Sequence, residues 1–278
     1  MNGEVPHPRP VFIAPKMKIK IIKLRMMMWP EIILAKRRTI RANGLVKIPS
    51  SSTGIMIGFT PNGTGGLALE IVDGGIMENV SIDNLVIEGP QVPLFLRLGN
   101  RARPYISGAP VPPPGKIRNI HLSNIFATGA DITGCSLTGI PGSNIENISL
   151  NNISITTTGC DTIPGWPRTI EEKIPDYPEG TMFGKLPAYG LFIRHASDIK
   201  LSNITLRTLN KETRPGIIVA QTDHFILAGL DLSSSANTPA ALYISESNNG
   251  FIHHSNSTWP AKQFYIKDNR SSNIDVEK

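Results

Sequence analysis

Basic side chains close several of the apolar runs in this chain, and their chemistry is the place to begin. Arg97, Arg101 and Arg103 cluster where the run Leu94–Leu98 (LFLRL) gives way to a Pro-rich segment, and Arg194 and His195 close the run Tyr189–Ile193 (YGLFI). A guanidinium is a planar fork that meets a carboxylate through two parallel hydrogen bonds. Such a set forms either a cationic rim for a carboxylate-bearing ligand or bridges between neighbouring segments through Glu70, Asp73 or Glu88. Trp166, Tyr177 and Phe183 stand in a second stretch rich in Pro and Gly, where they act as stacking surfaces or as a plug that seals the stretch onto the fold. Among the acids, Asp73 precedes Gly74-Gly75 and is the candidate carboxylate for acid–base work, with capping of the glycine bend as its competing role. Asp223 and His224 occupy an equivalent turn with no visible catalytic partner.

The elements that position these residues follow from a recurring phrase. Met77 to Ile87 reads MENVSIDNLVI, Ile117 to Ala127 reads IRNIHLSNIFA, Ile145 to Ile155 reads IENISLNNISI and Ser197 to Leu206 reads SDIKLSNITL. Aliphatic residues alternate, as strand side chains do when they leave opposite faces of the pleat. The Asn markers Asn84, Asn124, Asn152 and Asn203, followed by Gly229 in the same place, are 40, 28, 51 and 26 residues apart. Two of these gaps approach a bare repeat; the other two contain insertions at 103–115 and 160–187.

These features predict an all-β fold, a right-handed parallel β-helix in which each coil stacks on the last. An Asn at a fixed corner adopts the left-handed conformation and hydrogen-bonds to its counterpart one coil away. A leucine-rich repeat also uses a recurrent Asn, but its spacing is absent. The predicted organisation is a basic arm over residues 1–52, then one solenoid domain over 53–278.

Composition agrees with a folded core: 40% of residues are hydrophobic and 18% charged. The net charge of +6 is local, because residues 1–47 hold 11 of the 28 Lys and Arg against Glu4 and Glu31. The remaining residues are mildly acidic, which argues against a nucleic-acid partner. No run approaches the ~20 apolar residues of a membrane-spanning helix. Pro8, Pro10, Pro15 and scattered lysines break any signal-peptide core, so an export signal is expected upstream, or the protein stays inside the cell. Cys135 and Cys160 are expected to be two buried free thiols, with stacking on neighbouring coils as the alternative. The Asn-x-Ser/Thr sequons at Asn79, Asn147, Asn152 and Asn203 fall inside the strand phrase and are by-products of its composition.

The stretches GLALEIVDGG (66–75), PLFLRLGNRAR (93–103) and YPEGTMFGKLPAYGLFIRH (177–195) resemble the C-terminal half of bacterial glycoside hydrolase family 28, the polygalacturonase-like group. The resemblance runs from about Thr53 to Ser234. It implies a parallel β-helix, a monomer, and inverting hydrolysis of galacturonate linkages in pectin or rhamnogalacturonan by paired carboxylates, with no metal or other cofactor. It also implies an acidic polysaccharide as partner, with Arg97, Arg101, Arg103, Arg194, His195, Tyr189, Tyr177 and Trp166 around it. The chain departs from the family at its catalytic signatures: it has no Asp-Asp, no Asn-Thr-Asp and no His-Gly, and Gly54–Gly58 carries Met56 where a substrate-gripping cation is expected. An N-terminally shortened hydrolase and a non-catalytic scaffold that binds acidic polysaccharide are the two functional expectations.

Overall fold

The computed structural model describes residues 41–42, 53–57, 64–104, 106–233, 237–253 and 263–277, with side chains from residue 64 onward. Apart from the backbone of residues 41–42, the basic arm lies outside the described residues, as does the side chain of Met56. The described residues contain β-strands and no helix: β1 (Arg41–Ala42), β2 (Thr53–Ile57), β3 (Gly65–Ile71), β4 (Ile76–Glu88), β5 (Val92–Leu98), β6 (Lys116–Ala130), β7 (Cys135–Thr138), β8 (Ile145–Thr157), β9 (Leu191–Thr208), β10 (Ile217–Leu232), β11 (Ala240–Ser245), β12 (Asn248–His253), β13 (Gln263–Lys267) and β14 (Ser272–Glu277).

The strands form two parallel ladders. One runs β3–β5–β7 through the first residues of β9 and β10 to β11 and β13. The other runs β4–β6–β8 through the remainder of β9 and β10 to β12 and β14. The chain alternates between the ladders, and β9 and β10 belong to both. Parallel stacking begins at β3 and not at Thr53 as the sequence predicts, because β2 pairs antiparallel with β3. The connection at 58–64 is too short for a parallel crossover, which needs about a dozen residues, and its Pro61-Asn-Gly run suits a reversal. β1 likewise lies antiparallel to β4.

The long strands bend where an Asn or its substitute takes the left-handed conformation. Asn84, Asn124, Asn152, Asn203 and Gly229 all have φ between 52° and 61°. A second column, Asn79, Asn119, Asn147, Asp198, His224, Asn249 and Asn273, has φ between 50° and 58°. Each such residue shifts the inward–outward parity by one, so in β8 the buried aliphatics are Ile145, Ile148, Leu150, Ile153 and Ile155, and the strict alternation of the sequence reading becomes a 3-2-3-2 spacing. Side-chain amides link the corners along the stack: Asn119 donates to Asn79 (3.0 Å), Asn147 to Asn119 (2.8 Å) and Asn152 to Asn124 (2.7 Å).

The parity shifts point the aliphatics of the phrase inward, apart from Val86 between Leu85 and Ile87, and register then builds columns. Leu69, Leu96, Leu137, Ile193, Val219 and Ile244 form one, and Ile82, Leu122, Leu150, Leu201, Leu227 and Ile252 another; all are buried in a single core between the ladders. Gly250 is required because a Cβ there would lie 2.1 Å from the Phe225 ring, which fills that column from the neighbouring strand.

Candidate functional site

The ladder that starts at β3 is buried on both faces along β3, β5, β7 and the first residues of β9 and β10. Its inner face belongs to the core, and the connection between β8 and β9, residues 158–190, crosses its outer face as a strap. Phe183 and Leu186 of the strap, with half-buried Trp166, Ile170 and Met182, cover the outward row Ala68, Phe95, Phe192 and Ile218. The next outward row toward the strand ends is polar except at Ala220. Glu70, Arg97, Thr138, Arg194, Ala220 and Ser245 stand opposite one another strand by strand, and all are buried.

In this row Arg97 and Arg194 bind the strap's main chain. Arg97 donates to Thr138 Oγ1 (3.2 Å), Gly139 O (2.9 Å), Glu172 O (2.7 Å) and Lys173 O (3.2 Å), and its guanidinium lies 5.1 Å from the Phe183 ring centroid. Burial and the neighbouring Arg194 charge lower the Arg97 pKa to about 10, so it stays a cation at neutral pH. Arg194 donates to Ile170 O (2.7 Å) and Glu171 O (3.3 Å) and lies 3.1 Å from Glu172 Oε1. His195, bent at φ +50°, donates from Nε2 to the same Glu172 Oε1 at 3.0 Å. Burial pushes the Glu172 carboxyl upward, but the His195 hydrogen bond and the Arg194, His195 and Arg97 charges outweigh it and hold the pKa below the usual value. Glu172 Oε2, Arg97 Nε and Arg194 Nε are buried without a hydrogen-bond partner.

A second cluster closes the end of this ladder. Arg101 grips Asp73 through both oxygens, with Nε 3.1 Å from Oδ1 and the second contact at 2.5 Å to Oδ2; the Arg103 amide adds 3.1 Å to Oδ1. Gly74 and Gly75, at φ +79° and +96°, make the bend that sets Asp73 in place, and Pro112 of the 103–115 insertion packs where a Gly74 Cβ would stand. Tyr177 of the strap lies 5.4 Å from the Arg101 guanidinium with 66% of its surface exposed, and the Arg103 side chain is 63% exposed. Both insertions therefore reach this cluster, and Asn100 N, just ahead of the first, donates to Ile174 O of the strap at 2.8 Å.

The predicted site residues thus separate into two groups. Arg101, Arg103, Asp73 and Tyr177 come together at the ladder end, and Arg97, Arg194 and His195 come together beneath the strap. Trp166 is half-buried against the outer apolar row. Tyr189 is part of the core, where its hydroxyl donates to Ser233 O and burial drives its pKa upward. Cys135 is buried, with its thiol pushed up to about 12, whereas Cys160 is half-exposed and not buried as expected; both are free.

The sequence reading missed two acids, Glu172 and Glu212, and gave a third, Glu70, only as a bridging partner. Glu172 offers only a charge in a Pro-rich loop as a signal. Glu212 forms a fully buried pair with Arg214, whose Nε is 2.9 Å from Oε1 and Nη2 is 2.6 Å from Oε2, while Arg214 Nη1 reaches Ile132 O and Leu186 O to anchor the strap's other end. Glu70 carries a buried Oε1 with no partner, and burial, together with the Glu179 charge, raises its pKa to about 8. The last had a legible signal, since LALE, LFLR and LFIR put Glu70, Arg97 and Arg194 at one position of their strands.

No family model, curated protein or solved structure matches this chain. Among the described residues no helix is long and apolar enough to cross a membrane, and no three His, Cys, Asp or Glu come together to hold a metal.

Proposed function

We propose that this chain is a right-handed parallel β-helix of the glycoside hydrolase family 28 type, directed at acidic, galacturonate-containing polysaccharide of the pectin class. Support for the coil comes from the regular alternation of the chain between two parallel ladders around one core. The hand follows from the twist of strands, because parallel crossovers are right-handed in about 98% of cases. The observation that carries the ligand class is the pair of arginine clusters, one on the outward side of a ladder and one at its end, where exposed Tyr177 offers an aromatic face beside Arg101 and exposed Arg103 a cation on the same Asp73. A uronate ring presents an apolar face and a carboxylate, and such a pair of side chains suits both.

Hydrolysis in this group uses two carboxylates on opposite sides of the scissile bond. Asp73 does not suit either role here, because Arg101 holds both of its oxygens and Arg103 adds a third contact. This engagement favours a second reading, binding of acidic polysaccharide without turnover. Reducing-sugar release from polygalacturonate and from rhamnogalacturonan, run beside affinity electrophoresis in the same polymers, separates the two. Release supports the hydrolase; retardation without release supports the binding scaffold; neither release nor retardation overturns both.

A further inference from the structure

The arginine–carboxylate pairs around the strap are not alike. Arg101 with Asp73 and Arg214 with Glu212 are complete forks, in which Nε and a terminal nitrogen each take one carboxylate oxygen. Arg194 with Glu172 is not. Arg194 and His195 both approach Glu172 Oε1, at 3.1 and 3.0 Å, while Glu172 Oε2 and Arg194 Nε are left buried without partners. Arg97 Nε, in the same row, is unpaired as well. The terminal nitrogens of Arg194 also reach the carbonyls of Ile170 and Glu171, and those of Arg97 reach the carbonyls of Glu172, Lys173 and Gly139 and the Thr138 hydroxyl, all neutral acceptors. A buried polar atom without a partner is destabilising, so the strap satisfies these cations only in part.

We propose that Arg194 and His195 form a subsite for the carboxylate of a uronate unit, and that Glu172 fills it as an intramolecular competitor while the strap is closed. This assignment rests on the acidic-polysaccharide reading above. A free carboxylate on Arg194 forms the full fork with Nε and a terminal nitrogen that Glu172 leaves unmade, and His195 Nε2 keeps its acceptor. Entry of the ligand releases residues 170–173 from the outer face of the ladder. The strap stays tethered at its other end by Arg214, which holds Leu186 O at 3.0 Å.

The test combines a titration with a measurement on the unaltered protein. Trigalacturonate, titrated calorimetrically, is expected to bind Glu172→Gln about tenfold more tightly than wild type, because the competing charge is gone. Adding Arg194→Lys to that variant abolishes the gain, since an ammonium cannot supply the fork. In wild type, hydrogen exchange of the amides at 170–174 is expected to speed up with trigalacturonate and not with neutral maltotriose, a readout that stands even if the variant fails to fold. Equal affinity in wild type and Glu172→Gln, with the strap amides unchanged or further protected on binding, overturns the competitor role and leaves Glu172 as a clamp. If neither protein binds trigalacturonate or the polymer, the acidic-polysaccharide reading falls and the subsite with it.

Discussion

Glu70 stands in an apolar strand with one carboxylate oxygen buried and unpartnered, and its pKa near 8 makes it neutral at pH 7. The sign of its effect follows directly: its pKa is higher in the folded chain than the unfolded reference of 4.5, so the folded state binds the extra proton. Stability is therefore expected to fall as pH rises from about 4.5 to about 8 and to level off above that, a loss on the order of a few kcal/mol. Glu70→Gln should flatten this slope and melt higher than wild type at pH 9, as thermal melts across that range will show. The buried Glu212–Arg214 pair carries a prediction of another kind. Arg214→Met strands a buried carboxylate and also frees the Ile132 and Leu186 carbonyls, so it should cost about 3–5 kcal/mol by denaturant unfolding. Burial separates these two acids from ordinary glutamates, and burial is what the chain order of residues does not state.

Among the elements, the bent strands were the most legible and the strap the least. The strand phrase repeats its Asn at a fixed point, and Asn is among the few residues that take φ near +55° at low cost. Gly229 fills the same column with φ +61° and accepts the conformation equally well. Asn124→Gly is accordingly expected to lose only its amide bonds to Asp83 and Asn152, whereas Asn124→Val should add about 1–2 kcal/mol of backbone strain. Comparing denaturation midpoints of the two variants isolates the strain. The parity change at each corner was not legible, because alternation looks the same until the left-handed residue is located in space. The strap gave no periodic signal at all. Its path is dictated by carbonyls that meet Arg97 and Arg194 and by Phe183, and those partners lie tens of residues away along the chain.

At the scale of the whole molecule, each strand is stabilised by neighbours one circuit away, and the core is continuous across both ladders. Leu150, in the middle of its column, touches this continuity on both sides; Leu150→Ala is expected to cost about 2–5 kcal/mol. Because the ladders share the core and strands β9 and β10, the loss should appear in one transition, with far-UV circular dichroism and strap proteolysis moving together. The amino-acid sequence by itself determined the all-β class, the repeating phrase, the corner residues and the sites of the insertions, because each is written in local residue type and spacing. Tertiary structure alone decided that the first described strands turn back antiparallel and that Tyr189 belongs to the core. It also decided that Asp73 is locked by Arg101 and that Arg97 and Arg194 face the strap. These outcomes depend on which side chains meet after the chain has come round a full circuit, and pairing at that distance is set by packing and burial, which no local pattern encodes.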